Sequence, residues 1–314
     1  RDGRRGAVLE AMLEGWRGKR VLIVGDRGGL CAFLIAVLDE IGARPACVSD
    51  RADAQTLCRA LTAGRVGAVI LPGEVTGRGL PERLAATLTL TEEIREAGVP
   101  LLLALSDAAV YRQGEGRANE TAEIGGRTRE GLEASILQTA LLGAARGLFG
   151  DAVRTVLVRH APILGGDCAA WCDALLDGRT IEVRHPAARG VFVHPLDIVC
   201  CALTLGAQAF RQGEGGLYHI GTDARSISVN RNAARRLAVR HGGESALSEG
   251  KEDGETPTQL LDGSAARRLC GAACRLDADQ ALDLLLEQRR AAREGREAEA
   301  IRQMARTYLE GCRA

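Results

Sequence analysis

Lysine is almost absent from this chain of 314 residues, which has it only at Lys19 and Lys251; nearly all of the 41 basic residues are arginine. Any chemistry that needs a lysine ammonium therefore has two candidate positions. A net charge is absent as well, because 41 acidic residues balance the basic ones. A neutral chain gives no electrostatic reason to expect a nucleic acid or an anionic membrane as a partner.

Long apolar runs and metal-ligand patterns are also missing. No stretch approaches the ~18 apolar residues that span a membrane, and no leader segment is visible. The ten cysteines are scattered, pairs such as Cys168 and Cys172 lack C-x-x-C spacing, and with the five histidines they form no zinc pattern. We therefore expect buried thiols, no metal site and a cytoplasmic location, where thiols stay reduced.

The stretch RVLIVGDRGGLC, which starts at Arg20, is the feature around which the rest of the chain is arranged. Its four apolar residues after the arginine, three of them β-branched, predict a buried parallel strand. Gly25 and Gly28 then predict a tight turn, and an apolar helix is predicted from about Leu30 to Ile41. This order is typical of a dinucleotide-binding βαβ unit, in which the helix N-terminus faces a pyrophosphate. An ordinary strand-to-helix loop is the alternative.

An acidic residue follows the predicted second strand. Asp50 lies where a carboxylate can bind the hydroxyls of the adenosine ribose, which favours NAD. Arg51 beside it could hold a 2′-phosphate, so NADP stays open. The alternative for Asp50 is an N-cap, because a helical stretch follows at 52–62.

Strands and helices alternate through the first half of the chain, after a short amphipathic helix at 7–16. We predict strands at 43–49, 66–71, 99–105 and 153–158, helices at 52–62, 81–97 and 130–148, and a polar loop at 112–127. This alternation predicts an α/β fold with a Rossmann-type, doubly wound parallel sheet covered on both faces.

The texture changes beyond Gly165. There we predict short strands at 180–183, 191–194 and 217–220, helices at 195–209 and 228–240, a polar linker at 242–258, and a last helical segment at 264–311 whose charged part, 286–306, is a solvated helix face. The predicted domains are an N-terminal helical extension at 1–17, a nucleotide-binding domain at 18–164 with 192–220 woven back into it, and a smaller α/β domain at 165–314.

Five segments in order resemble one protein family, the extended short-chain dehydrogenases/reductases of the nucleotide-sugar epimerase/dehydratase type. These segments are LLLALSDAAVYRQGEG, VLVRHAPILGG with Arg159 and Gly165, RGVFVHPLDIVCCAL with Arg189, Phe192, His194 and Asp197, GGLYHIGTDARSISV, and LDGSAARRLCGAACRLDADQAL. No single motif is specific, but their order is, and the resemblance runs from about residue 19 to 290.

The resemblance implies NAD or NADP as cofactor, a nucleotide sugar as substrate, and a small C-terminal substrate domain over the cleft. It also implies a homodimer through the helices near 82–97 and 130–147. Its implied cofactor-binding residues are Gly25, Arg27, Gly28, Cys31, Asp50, Arg51, Pro72 and Gly73, and its implied substrate-binding residues are Ser106, Tyr111, Arg159 and Arg189.

The resemblance also implies catalytic groups that this chain lacks. The family uses a tyrosine, a lysine four residues later on the same helix face, and a serine or threonine hydroxyl. None of the three tyrosines can pair with either lysine. Glu130 and Ala134 fall nearest the tyrosine and lysine positions, and Asp107 stands at the hydroxyl position. Arginine does not replace the lysine, since its pKa of about 12 or more keeps it protonated.

The cofactor turn departs from the family pattern too. Cys31 stands at the third glycine, Asp26 brings a carboxylate close to the expected pyrophosphate, where Arg27 could neutralise it, and Glu74 replaces a small apolar residue. Only about fifteen residues separate Asp50 from the next strand, where the family fits another strand. These departures predict weakened dinucleotide binding.

Two functions stay open. We favour a nucleotide-sugar epimerase/dehydratase-like protein that is weakly active or non-catalytic. The alternative is an active divergent enzyme in which Asp107 and Glu130 form an acid/base pair, assisted by His160 or His194. Against that alternative, Asp107 could be a helix or turn cap, Glu130 an exposed charge at a helix start, and both histidines core residues.

Overall fold

The computed structural model describes residues 10–25, 29–73, 79–111, 116–126, 128–149, 152–164, 167–213, 215–241, 247–250 and 259–313. The helices are α1 (10–16), α2 (Leu30–Glu40), α3 (Ala54–Thr62), α4 (Leu80–Glu96), α5 (Arg129–Ala144), α6 (Asp167–Leu176), α7 (Pro195–Gln212), α8 (Asn230–Arg240), α9 (Ser264–Cys270), α10 (Ala278–Arg293) and α11 (Glu297–Arg313). The strands are β1 (Arg20–Val24), β2 (Arg44–Val48), β3 (Ala68–Leu71), β4 (Leu101–Asp107), β5 (Arg117–Ala118), β6 (Arg154–His160), β7 (Ile181–Val183), β8 (Arg189–Val191), β9 (Gly216–Ile220), β10 (Ile227–Val229), β11 (Leu247–Glu249) and β12 (Leu260–Leu261).

A six-stranded sheet forms the centre of the molecule, in the order β2-β1-β3-β4-β6-β9. Every neighbouring pair in it is parallel. The continuous apolar runs of β3 and β4 are buried on both faces, as a parallel sheet between two helical layers requires. The predicted α/β, doubly wound parallel sheet is confirmed.

Alternate residues of β1 separate the two layers. Val21 and Ile23 face a core that includes residues of α1, α2, α7 and α11. Leu22 and Val24 face the opposite core, which includes residues of α3, α4 and α5. This alternation follows from the two-residue period of a strand and places the crossover helices on both sides of the sheet.

A third core lies in the C-terminal half, where residues of α6, β7, α8 and α10 pack around Trp171 and Phe192. Within this half the chain returns to the large sheet, because α7 packs on its face and β9 pairs with β6. Among the described residues, no helix is both long enough and apolar enough to span a membrane.

Two predicted helical segments differ in the structure. The segment 264–311 forms three helices, α9, α10 and α11. Gly271 ends α9 with a φ angle of +76°, and Gly295 follows α10 with a φ angle of +70°. The charged stretch 286–306 is therefore not one solvated face, and Ile301 and Met304 are buried against α2 and α7. The helix predicted at 130–148 becomes a π-helical turn after Ala144.

Candidate functional site

The order of the sheet has a switch point between β1 and β3. The chain leaves β1 for β2 on one side and then returns to β3 on the other, so the connections after β1 and β3 run to opposite sides and a crevice is expected between them. Ligands of open α/β sheets bind at such switch points. Gly25 follows β1, and Pro72 and Gly73 follow β3, so these predicted cofactor residues lie together here. The short connection after Asp50 holds only α3, and β2 remains the edge strand.

Gly25 lies at a close approach of three elements. A Cβ at this position would lie 3.0 Å from Cγ of Pro72 and 3.2 Å from Sγ of Cys31. Its N–H donates to the carbonyl of Val48 at 2.9 Å, which fixes the turn against β2. The Cys31 side chain is buried below this turn, so it contacts the protein interior rather than the crevice. Here the third glycine of the pattern is replaced without losing the contact between helix and strand.

The N-terminus of α2 is suited to an anion. Gly29 holds the N-cap position with φ +52°, and within the described residues no side-chain hydrogen bond caps the helix. Amide groups of an uncapped first turn and the helix dipole both favour negative charge. The predicted residues Arg27 and Gly28, with Asp26, lie outside the described residues, as does Glu74.

Asp50 and Arg51 lie directly beyond β2, half-buried and exposed respectively. The alternative role of Asp50 as the N-cap of the next helix is wrong. Asp53 takes that position, and its Oδ1 accepts a hydrogen bond of 2.7 Å from the N–H of Thr56. Asp50 therefore lies beyond the strand end, three residues before the cap.

Asp107 and Glu130 have the local roles that compete with catalysis. Oδ1 of Asp107 accepts from the N–H of Ala109 at 2.7 Å and so caps a 3₁₀ turn. Glu130 is exposed in the first turn of α5, and Thr128 is the cap of that helix. In the β4–β6 register Asp107 lies opposite His160, not opposite Glu130.

The start of α5 is pressed against the turn after β4. A Cβ on Gly131 would lie 2.4 Å from the carbonyl oxygen of Ala109, and one on Gly126 would lie 2.7 Å from it. The hydroxyl of Ser135 donates to the carbonyl of Val110 at 3.1 Å. Backbone atoms of two segments therefore meet near the position where the resemblance places a catalytic side chain.

A buried polar network occupies the ends of β4, β6 and β9. Nη1 of Arg159 donates to the Tyr111 hydroxyl at 2.5 Å, and its Nε donates to Oε1 of Gln138 at 2.8 Å. The Gln138 amide donates in turn to the hydroxyl of Ser106. Tyr111 and Arg159 are each only 2% exposed. The predicted substrate-binding residues Ser106, Tyr111 and Arg159 are therefore buried in one hydrogen-bond network. Tyr111 bonds Arg159 directly, and Ser106 joins them through Gln138.

The network ends on the backbone. Nδ1 of His219 lies 3.1 Å from the carbonyl of Ala118, so this nitrogen carries the proton and Nε2 accepts from the Tyr111 hydroxyl at 2.5 Å. Burial raises the pKa of Tyr111, although the charge of Arg159 lowers it in part. Burial likewise lowers the pKa of His219, against the opposing charge of Glu120. Both pKa shifts favour the neutral forms of the two side chains.

Gln138 and His219 escaped the sequence interpretation. Gln138 is a long polar residue on a buried face of α5 that is mostly apolar, and that mismatch was the available signal. His219 lies inside β9 and had none, since its partner Tyr111 is 108 residues away in sequence.

The two other buried histidines are core residues. Nδ1 of His194 accepts the N–H of Leu196 at 3.2 Å and caps α7, and burial lowers its pKa to about 3. Burial also lowers the pKa of His160, whose Nδ1 bonds the carbonyl of Ala161, with Asp107 raising it in part. Arg189, the fourth predicted substrate residue, is exposed on β8.

No family model and no curated protein sequence matches the chain. Solved structures match its fold. MoeE5 in complex with UDP-glucose and NAD has a TM-score of 0.72 at 21% identity, covering 87% of this chain and 99% of its own. The UDP-glucose 4-epimerase of Thermotoga maritima with UDP-glucose has a TM-score of 0.70 at 16% identity, with the shares 87% and 99%.

A third match is DesIV, a dTDP-glucose 4,6-dehydratase from Streptomyces venezuelae with NAD bound, which has a TM-score of 0.67 at 18% identity and covers 88% of this chain and 98% of its own. Identities this low show a shared fold and no more. The chain therefore has the fold of the nucleotide-sugar epimerases and dehydratases, the extended short-chain dehydrogenases/reductases that its sequence resembles.

Proposed function

We propose that the chain is a divergent relative of the nucleotide-sugar epimerases and dehydratases that binds NAD or NADP together with a nucleotide sugar and is weakly active or non-catalytic. The observation that carries this proposal is the contrast between two places in the fold. At the carboxyl ends of β1 and β3, Gly25 packs closely against Pro72, and Gly29 precedes α2 without a side-chain cap among the described residues. The ends of β4 and α5, where proton carriers are needed, hold a turn cap, packed glycines and a closed buried network.

The cofactor would be held by the chain in two parts. Gly25, the first amides of α2 and the Pro72–Gly73 turn would receive the pyrophosphate, with Arg27 and Gly28 completing the turn. Asp50 would accept the ribose hydroxyls, and Arg51 beside it would favour a 2′-phosphate. A bound dinucleotide supplies hydride exchange at its nicotinamide. The protein's own part is binding and orientation.

Weak activity or none follows from the side chains that surround the expected substrate position. A sugar hydroxyl that exchanges a hydride must also exchange a proton with a nearby group. Tyr111 is neutral and buried, and its hydroxyl is already bonded to Arg159 and His219. Glu130, nearest the tyrosine position, is an exposed residue on the surface of α5. Bound substrate would therefore lack a proton carrier.

Cofactor binding is tested by thermal unfolding of the purified protein with NAD, NADH, NADP and NADPH. A ligand that binds only the folded state raises stability by RT ln(1 + [L]/Kd), about 2.7 kcal/mol at a hundredfold excess over Kd. We expect the melting temperature to rise with at least one dinucleotide and not with nicotinamide alone. An unchanged melting temperature with all four at millimolar concentration would remove the cofactor from the proposal.

An active divergent enzyme is the second candidate, because β4 and β6 place Asp107 opposite His160 and the Asp107 charge acts on the imidazole. In this candidate Asp107 is one proton carrier, and Glu130 its partner across the cleft. It predicts slow conversion of UDP-glucose with bound NAD, lost in Asp107→Asn and Glu130→Gln. Absence of conversion by the wild-type protein with proven cofactor binding would exclude it.

We also propose a cytoplasmic homodimer. Helices α4 and α5 pack side by side, and together they expose three large apolar side chains, Leu88 at 40%, Leu132 at 51% and Ile136 at 37%. A second copy on this surface would cover them.

A further inference from the structure

A groove of about 780 Å³ lies between α1, α7, α9 and the last turn of α11. None of the residues assigned to the dinucleotide crevice lines it. Part of its lining is apolar, with Ala11, Ala207 and Leu269 among the lining residues. Small-molecule sites typically measure about 300–1,000 Å³ and combine an apolar lining with a few placed polar groups.

The rim of this groove is strongly basic. Five arginines line it, against a single carboxylate, Asp223: Arg211, Arg225, Arg267, Arg268 and Arg275. Asp223 pairs with Arg225 at 3.4 Å. Within the part of the chain that the structure describes, no carboxylate lies within ion-pair distance of the other four guanidinium groups.

Several arginines elsewhere in the chain form ion pairs with carboxylates. On α8 and α10, Arg240 pairs with Asp283 at 2.7 Å, and Arg293 pairs with Asp177 at 2.5 Å. Arg306 of α11 pairs with Glu40 of α2 at 2.9 Å. Four arginines without an ion-pair partner among the described residues therefore line one concave surface, where they repel one another until an anion binds.

Electrostatic effects on neighbouring groups show that the arginine charges reach into the groove. Burial alone would raise the pKa of Asp223, but the N–H of Arg225 and the charges of Arg225 and Arg267 hold it below its usual value. Burial raises the pKa of the Cys270 thiol, and the charge of Arg211 lowers it in part. Cys270 and Asp223 both line the groove.

The groove depends on parts of the chain that lie outside the resemblance. Ala11 belongs to α1 and Gly311 to α11, whereas the resemblance spans about 19–290. The other lining residues fall within the resemblance, so the groove lies where the first and last helices meet α7 and α9.

We propose that this groove binds a small anion that carries two or more phosphate groups. Guanidinium forks donate paired hydrogen bonds to phosphate oxygens, and four unpaired forks match an oligophosphate better than a single carboxylate or phosphate. The apolar part of the lining leaves room for a neutral group such as a nucleoside beside the phosphates. Free inorganic oligophosphate and a nucleotide share this chemistry.

Calorimetric titration at low ionic strength tests the proposal, with sodium tripolyphosphate, UDP and orthophosphate as probes. The wild-type protein should bind tripolyphosphate or UDP more tightly than orthophosphate. The double variant Arg267→Gln/Arg268→Gln should bind the same probe about tenfold or more weakly, because two charge-assisted contacts are lost. Both side chains are exposed, so this variant should unfold at the wild-type temperature.

The matched control is Arg290→Gln/Arg296→Gln, which removes the same charge at the α10–α11 turn, outside the groove. It should bind as the wild type does. UDP binding that is tighter than tripolyphosphate binding and is weakened in the groove variant identifies a nucleotide as the occupant, because UDP held at a nucleotide-sugar site elsewhere would bind both proteins equally. Tripolyphosphate binding that is at least as tight as UDP binding identifies the phosphate chain alone. Equal losses in the two double variants, or no binding by the wild type at millimolar probe, overturn the proposal. NAD binding in the groove variant should be unchanged, so failure of the cofactor proposal is a separate result.

Discussion

Arg159 links three elements at the carboxyl ends of the central strands, namely β6, α5 and the turn after β4. Its guanidinium is buried and bonded to Gln138 on α5 and to Tyr111 after β4. A buried charge is costly to leave with unmet donors, so each partner stabilises the folded state through Arg159 as well as through its own packing. Residues that resemble substrate ligands here hold strands and helix together.

Replacing Tyr111 with phenylalanine tests this structural role. The change removes the acceptor of Arg159 Nη1 and the donor to His219 while keeping the ring, so unfolding should become easier by about 1–3 kcal/mol. Urea unfolding measures the change, and UDP-glucose binding to the folded variant should match the wild type. A variant of wild-type stability that loses nucleotide-sugar binding would instead make Tyr111 a substrate ligand.

His194 should make stability depend on pH. Burial lowers its pKa to about 3 in the folded chain, whereas an unfolded histidine titrates at about 6.5. Below about pH 6.5 the unfolded chain binds a proton that the folded chain does not, so stability falls with pH by up to ~1.4 kcal/mol per unit until about pH 3. Asparagine at 194 keeps a cap for α7 without this titration.

The measurement is urea unfolding of wild type and His194→Asn between neutral pH and about pH 4. As the pH falls, the free energy of unfolding of the wild type should decrease more steeply than that of His194→Asn. His160, also buried, contributes equally to both proteins and cancels in this comparison. Parallel curves would show that His194 is protonated in the folded state.

At the scale of elements, α5 determines how the site is closed. Its first turn carries a glycine that faces the backbone after β4, and its last turns carry another, Gly143, with no atom within 4 Å of a built Cβ. The two glycines therefore have different reasons to be there. Only Gly131 is required by packing.

Alanine at each glycine separates these reasons. Gly131→Ala places a methyl group 2.4 Å from the carbonyl of Ala109 and should destabilise the protein by about 1–3 kcal/mol, as overpacking does. Gly143→Ala should stabilise it by about 0.5–1 kcal/mol, because alanine is the better helix former. Thermal unfolding of both variants is the measurement. A neutral Gly131→Ala would mean that α5 does not press on this turn.

The elements also show what a sequence can predict. The strands β1, β3 and β4 were predictable because a fully buried parallel strand is a continuous apolar run. The division of 264–311 was signalled by Gly271 and Gly295, which helix ends favour, but apolar periodicity continues on both sides of them. The network around Arg159 was not predictable, since its bonds join residues 21 to 108 positions apart. Residue patterns predict local structure, whereas the hydrogen bonds around Arg159 join distant residues that meet only when the sheet has formed.

For the whole molecule, the apolar surface of α4 and α5 predicts association. Leu132→Glu puts a charge at the centre of the proposed dimer surface and should convert dimers into monomers, measured by light scattering after size-exclusion chromatography. Val239→Glu is the matched control, because Val239 is 71% exposed on α8 and lies outside that surface. A monomeric wild type, or dissociation by both variants alike, would contradict the proposed interface.

The central claim is that the fold keeps a dinucleotide crevice without the groups that move protons beside it. The most direct measurement follows nicotinamide fluorescence with equimolar protein, first on adding NADH and then, in a separate sample, on adding NAD with UDP-glucose. We expect a fluorescence change with NADH, which reports binding, and at most slow formation of reduced nicotinamide or of converted sugar; the sugar is followed as well because an epimerase returns its hydride to the substrate. Reduction of NAD or conversion of UDP-glucose at about 1 s⁻¹ or faster, as in ordinary enzymes, or NADH fluorescence identical with and without protein, would contradict this expectation.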